Sequence, residues 1–304
     1  MNFLKKRETP VQNIAYIGIF SAVNIVFVLL SSLLPILFLL LVFILPLTSM
    51  IVTIYCKKRY YPVYFITTMA LCLAVTAGFS IFDSFIYVLP SLITGFLFGI
   101  LIEKGVNALY IVEINTIVQF ILTFLTFLFI DKVITNINFY EAIFHTLGLA
   151  DFKFKGVLTN IFTYIVAQIQ IFITYVFVSY EAKRLNIEIN LEVKYRFVLY
   201  CLYFIDLLLS IFSILYFPDY ALLFALLMLP IILYELMELI GRKDKFIYAS
   251  LFASFVIFIF LFAYAYQKMP AGTSLTLIHI FFALITIIDL IFNYCFHKKT
   301  NTIK

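Results

Sequence analysis

Ten apolar segments, each about 18–25 residues long, take up most of this 304-residue chain, and a helix of that length crosses ~30 Å of hydrocarbon. They fall near 13–31, 34–55, 62–81, 84–102, 107–130, 157–180, 196–216, 219–240, 246–267 and 275–296. Backbone exposed to lipid must satisfy its own hydrogen bonds, which leaves helices or closed barrels. Unbroken apolar runs of this length predict helices. The expected fold is therefore all-α, a polytopic transmembrane bundle of about ten spans. The first two spans are separated only by Ser31–Pro35, so they require a tight hairpin.

The cations orient the bundle. With the N-terminus in the cytoplasm, seventeen of the 21 Lys and Arg residues fall inside: Lys5, Lys6, Arg7, Lys57, Lys58, Arg59, Lys104, Lys183, Arg184, Lys194, Arg196, Arg242, Lys243, Lys245, Lys298, Lys299 and Lys304. Lys132, Lys153, Lys155 and Lys268 fall outside. An excess of Lys and Arg in short cytoplasmic loops sets orientation. The expected topology is thus a multi-pass membrane protein with both termini cytoplasmic. The net charge of +5 belongs to these loops and reads as contact with anionic lipid headgroups. It forms no basic face suited to nucleic acid. Only 12% of residues are charged while 65% are hydrophobic, too little polar surface for a soluble domain of this size. Trp is absent, so an interface belt must be built from Tyr. Tyr55, Tyr60, Tyr61, Tyr180, Tyr195, Tyr248 and Tyr294 stand near expected cytoplasmic ends. The four cysteines form no CxxC pair and read as reduced packing residues. No small-x-small cleavage site follows the N-terminal basic run, so a signal peptide is not expected.

Two connections divide the chain. The outside loop 131–156 contains Phe139–Leu147, which could form a short interfacial helix. The inside connection 181–196 alternates Leu185, Ile187, Ile189, Leu191 and Val193 with polar residues, a strand-like period of two. Residues 1–180 are read as a six-helix membrane domain, 181–196 as a cytoplasmic linker and 197–304 as a four-helix extension.

Three sets of residues could carry function. Small residues recur at helical spacing: Ala15, Gly18 and Ala22 in the first span, Ala70, Ala74 and Gly78 in the third, Gly95 and Gly99 in the fourth. Such spacing lets helix backbones approach in lipid, either within the chain or against another membrane subunit. Polar stripes are the second set. Ser84, Tyr87, Ser91 and Thr94 share one face of the fourth span. Asn115, Gln119 and Thr123 share a face of the fifth, and Asn160, Tyr164 and Gln168 one of the sixth. Buried amides and hydroxyls need partners. They find them in each other, in a closed bundle, or in a ligand, in a cavity open to the outside with Asp83 at its mouth. On the second alternative Asp83, Tyr87, Gln119, Asn160, Tyr164 and Gln168 bind a neutral or weakly cationic polar molecule. The third set is acidic: Glu113, Asp206, Glu235, Glu238 and Asp289. Glu235, Glu238 and Asp289 are expected to reach the cytoplasmic end. Asp206 is expected near mid-membrane, either as a structural acid or as a carrier of protons or cations.

Enzyme signatures are missing. His145, His279 and His297 form no HExxH pair, and the chain has no GxxxxGK[ST] or GxSxG motif. No catalytic activity, cofactor or metal is expected.

The first six spans resemble the substrate-binding S component of energy-coupling-factor (ECF) transporters. The likeness lies in Asn13–Val23, Leu34-Pro35, the basic Lys57–Arg59 and Leu89–Gly99, and it covers about residues 10–180. It implies a six-helix body that binds substrate from outside. It also implies a small-residue face on the first helix against the transmembrane coupling subunit, with separate ATPases as further partners. Ala15, Gly18 and Ala22 match that face loosely, and Ile19 interrupts its usual AxxxA pattern. The four extra spans look more like the YybS-like group of bacterial membrane proteins, which begin as S components do and continue past them. Three functional expectations follow: an ECF-like component binding a small polar molecule, a YybS-like scaffold or regulator without transport, and a proton-coupled carrier using Asp206.

Overall fold

A computed structural model of the protein describes residues 6–34, 37–78, 84–130, 132, 155–184, 196–216, 218–241, 244–268 and 277–300. These form helices α1 (Pro10–Leu33), α2 (Phe38–Tyr55), α3 (Tyr61–Thr76), α4 (Leu89–Glu103), α5 (Ala108–Phe129), α6 (Lys155–Arg184), α7 (Arg196–Tyr216), α8 (Pro218–Leu227), α9 (Leu229–Gly241), α10 (Lys245–Lys268) and α11 (Ile278–Thr300). A π-type turn, Ser84–Val88, leads into α4. Phe139–Leu147 and the alternating stretch from Leu185 to Val193 lie outside the described residues.

Among the described residues each apolar segment is mainly helical, with one break. The eighth divides at Met228 into α8 and α9. Pro230, second residue of α9, explains the restart: its missing N–H is harmless in a first helical turn but would remove a bond in a helix interior.

Among the described residues six helices are long and apolar enough to cross a membrane: Pro10–Leu33, Ser84–Glu103, Ala108–Phe129, Thr159–Arg184, Phe197–Ile214 and Lys245–Tyr264. Leu41–Tyr55 and Ile278–Asn293 are apolar but shorter. At 16 residues, α3 rises ~24 Å, short of a ~30 Å hydrocarbon core. On α10, Phe246, Phe252 and Phe260 are exposed at 77%, 69% and 72%. A soluble protein seldom exposes so much contiguous apolar surface. This is the make-up of a multi-pass membrane protein.

The chain forms two compact units. The first comprises residues 1–150 and 165–192, the second 151–164 and 193–304. In the first unit α2 packs most extensively on α4, α1 lies against α2 and α3, and α5 lies against α4. Glycine makes the α2–α4 contact possible. A Cβ at Gly95 would collide with Ser49 Cβ and stand 2.5 Å from the Pro46 carbonyl oxygen; one at Gly99 would stand 2.5 Å from Thr53 Cβ. Pro46, inside α2, cannot donate to Val42. The Thr174 hydroxyl of α6 shares its one proton between the Gln170 carbonyl at 2.8 Å and the Val42 carbonyl at 3.3 Å, so the freed Val42 group is only partly compensated. In the second unit α7 packs on α8, and α11 on α9 and α10.

Candidate functional site

The first unit buries a network of uncharged polar groups. Asn24 of α1 donates from Nδ2 to the Tyr64 hydroxyl of α3 at 2.6 Å. Thr48 of α2 donates to Asn24 Oδ1 at 2.7 Å, and Thr48 and Ser49 lie 3.3 and 3.4 Å from the same tyrosine oxygen. Next to it, Ser21 and Thr68 are hydrogen-bonded at 2.8 Å. Thr76 at the end of α3 bonds Ser84 at 2.8 Å. All these side chains are buried. In lipid each would otherwise be an unsatisfied group, so the network fixes how α1, α2 and α3 meet. It supplies no proton-exchanging group at neutral pH.

The second unit is built differently. Many of its polar groups lie on two helical faces. On α7, Tyr200, Tyr203, Asp206, Ser210 and Ser213 advance by three and four; on α11, His279, Phe282, Thr286, Asp289 and Asn293 do the same. Tyr200 donates its hydroxyl to Asp289 Oδ2 at 2.7 Å, and Asn293 Nδ2 donates to the same oxygen at 2.9 Å. Thr286 donates to Glu235 Oε2 of α9 at 2.9 Å. Tyr203 donates to the His279 carbonyl at 2.9 Å. His279 Nδ1 stands 3.9 Å from Asp206 Oδ2, beyond hydrogen-bond reach. That Asp206 oxygen and both His279 ring nitrogens have no hydrogen-bond partner among the described residues. Asp206, Glu235, His279 and Asp289 are each 2–4% exposed.

From His279 to Asp289 the face of α11 rises ~15 Å at 1.5 Å per residue, about half the hydrocarbon thickness. Three carboxylates and an imidazole are spread along that length. The sequence holds no Lys or Arg between positions 197 and 241 or between 278 and 297. Isolated charges in hydrocarbon are costly, and such a series of ionisable groups is the material of proton relays. Among the described residues no group of three His, Cys, Asp or Glu side chains is arranged to hold a metal ion.

The residues expected to line an outside pocket are distributed as follows. Asp83 lies outside the described residues. Tyr87 is half-buried in the π-type turn. Gln119 is buried, and its Nε2 lies 3.4 Å from Thr123 Oγ1 and 3.4 Å from Gln170 Oε1. Its neighbour on α6 is thus Gln170, where the stripe reading looked to Gln168, which is half-buried. Asn160 and Tyr164 are buried and belong to the stretch of α6 in the second unit, whereas Tyr87, Gln119 and Gln168 belong to the first.

Ala15, Gly18 and Ala22 are exposed along α1, and nothing stands within 4 Å of where a Gly18 Cβ would be. One acidic expectation needs correction. Glu235 and Asp289 do not reach out to the cytoplasmic end: they are buried and held by Thr286, Tyr200 and Asn293. The side chain of Glu238 lies outside the described residues. The Asn24–Thr48–Tyr64 network and the pairing of His279 with Asp206 were not read from the sequence, although the α7 and α11 faces carry the same three-and-four spacing as the stripes that were.

The fold and these buried polar groups define an all-helical, multi-pass membrane protein. Comparison with protein-family models, with curated proteins and with solved structures finds no match.

Proposed function

We propose that the protein is a transport protein of the bacterial cell membrane, crossing it about ten times with both termini cytoplasmic, and that the second unit couples movement of a small polar molecule to proton uptake and release. One observation carries the reading: Asp206, Glu235, His279 and Asp289 are buried along α7, α9 and α11 with neither an Arg nor a Lys in the same sequence intervals. Protons are the ligand these groups can exchange without a fixed counter-charge. The test uses the purified chain alone in proteoliposomes containing a pH-sensitive dye. Candidate solutes come from mass spectrometry of small molecules retained in mild detergent. Adding the retained solute should drive proton flux in the wild type and not in Asp206→Asn. Solute uptake that ignores an imposed pH gradient would reject the reading.

A second reading has its own observation. The ECF resemblance implies a substrate-binding component that docks a transmembrane coupling subunit through α1 and depends on separate ATPases. In favour of it, Gly95 and Gly99 are consumed inside the first unit against α2, whereas Ala15, Gly18 and Ala22 remain exposed. Gly18→Leu should then abolish co-purification of a membrane subunit and leave folding intact. On this reading Asp83, Tyr87, Gln119, Asn160, Tyr164 and Gln168 contact the substrate. A YybS-like scaffold without transport is the outcome if no solute is retained and no flux is seen.

A further inference from the structure

The end of the first unit opposite the π-type turn holds a cavity of about 460 Å³. Its charged lining is Lys6, Arg7, Lys57 and Lys58 against Glu8 and Glu103, four cations to two acids, a net of two positive charges. Cys56 also lines it, and burial pushes that thiol up to about 11, with Arg7 pulling weakly the other way. At neutral pH it therefore adds no negative charge.

The cavity is held open by three separate ties. The N-terminal arm folds back on the end of α2 through Arg7 N–H to the Tyr55 carbonyl at 2.8 Å. Asn13 clamps both strands of this fold: its Nδ2 donates to the Arg7 and Thr9 carbonyls at 3.3 and 2.7 Å, and its Oδ1 accepts from Lys57 N–H at 2.8 Å. Glu103 at the end of α4 draws in Lys6 and Lys58 at 2.7 and 2.8 Å. The Arg7 guanidinium lies 4.5 Å over the Tyr16 ring, and the residue is 7% exposed. Arginine stays charged in any such setting. Four cations are thus gathered before any ligand arrives, at the level of Tyr55, where apolar helix gives way to charged loop. Convergent cations of fixed position bind an anion with little further ordering, and basic pockets at the cytoplasmic side of membrane helices suit phosphate headgroups.

We propose that this cavity binds a phosphate group, supplied by the headgroup of an anionic phospholipid of the inner leaflet. Lys57 is the main contact, since Lys6 and Lys58 are already engaged by Glu103 and the Arg7 guanidinium is packed on Tyr16. The site lies wholly within the first unit and does not depend on either transport reading; its assignment to the inner leaflet rests on the cytoplasmic N-terminus proposed above.

The experiment is native mass spectrometry of the full-length protein released from nanodiscs of mixed anionic and zwitterionic phospholipid. Wild type should retain anionic lipid at least ten-fold over zwitterionic lipid. Lys57→Gln keeps the backbone N–H that Asn13 uses, so the fold survives, and retention should fall several-fold. Arg59→Gln is the control: Arg59 is equally basic and two residues away, but it does not line the cavity and stacks on Tyr60 instead. Equal losses in the two variants would mean diffuse attraction to a basic surface and would overturn the site. So would wild type retaining the two lipids alike. Inorganic phosphate added at millimolar concentration separates the sources. Lipid that persists supports the headgroup; lipid displaced completely, with phosphate itself retained, overturns the lipid assignment in favour of the free anion.

Discussion

The two units bury polar groups of opposite kinds. In the first, Asn24, Thr48, Ser49 and Tyr64 satisfy one another with uncharged hydrogen bonds, and Ser21–Thr68 and Thr76–Ser84 repeat the pattern. Its one buried carboxylate among the described residues is Glu113, near the start of α5. In the second, Asp206, Glu235 and Asp289 are buried with His279, and one contact, His279 to Asp206, is left at 3.9 Å. A closed uncharged network has one low-energy arrangement and gives structure. Carboxylates in hydrocarbon have at least two, protonated and ionised, and a gap such as that beside His279 leaves room for the change. On the proposed reading the first unit is the framework and the second exchanges protons.

The contrast can be broken by substitution, and the largest effect should be functional. Asp206→Asn should abolish proton-coupled flux, a loss of at least a hundred-fold in the liposome assay, while thermal unfolding in detergent stays within ~1 kcal/mol of wild type, because removing an uncompensated buried charge also removes its desolvation cost. Unfolding of this variant would make Asp206 structural and erase the distinction between the units. Next comes Gly95→Ala in the framework. The new methyl would meet Pro46 backbone that cannot swing aside, so stability should drop by about 3 kcal/mol, read as a lower unfolding midpoint. Tyr64→Phe should cost about 2 kcal/mol by stranding Asn24 Nδ2; pairing it with Asn24→Leu should recover part of that loss in a double-mutant cycle. The smallest effect is Thr174→Val, about 0.5 kcal/mol, since the one hydroxyl proton lost is shared between the Gln170 carbonyl and the more distant Val42 carbonyl. None of the three framework substitutions should alter the ratio of protons to solute in protein that remains folded.

Much of the framework was legible in the sequence. Apolar length marked out helices among the described residues, because lipid leaves the backbone few alternatives. The break at Met228, in the second unit, was not read from the sequence, although Pro230 two residues later marks it. Gly95 and Gly99 signalled a close approach, but which helix fills it depends on three-dimensional packing, which brings Pro46 and Thr53 of α2 to them. The same holds for Ala15, Gly18 and Ala22: identical spacing, yet no packed neighbour at Gly18. The candidate site was less legible. Asp206 stood out because no Lys or Arg lies at its depth, Arg196 standing at the far end of the same span. His279 did not, since its partner lies 73 positions away, and one-dimensional spacing carries no information on which faces of α7, α9 and α11 turn toward each other. Gln119 shows the limit within a stripe: it meets Gln170 of α6 rather than Gln168, because rotation of one helix about its axis by a fraction of a turn exchanges neighbours.

The central claim is that protonation takes place in the second unit at Asp206. Infrared difference spectroscopy of the purified protein between acidic and alkaline pH, read in the stretching region of protonated carboxyl groups, tests it most directly. A band present in the wild type should vanish in Asp206→Asn and persist in Glu181→Gln, a surface acid of the first unit paired with Arg184. A spectrum that is unchanged by Asp206→Asn would contradict the account.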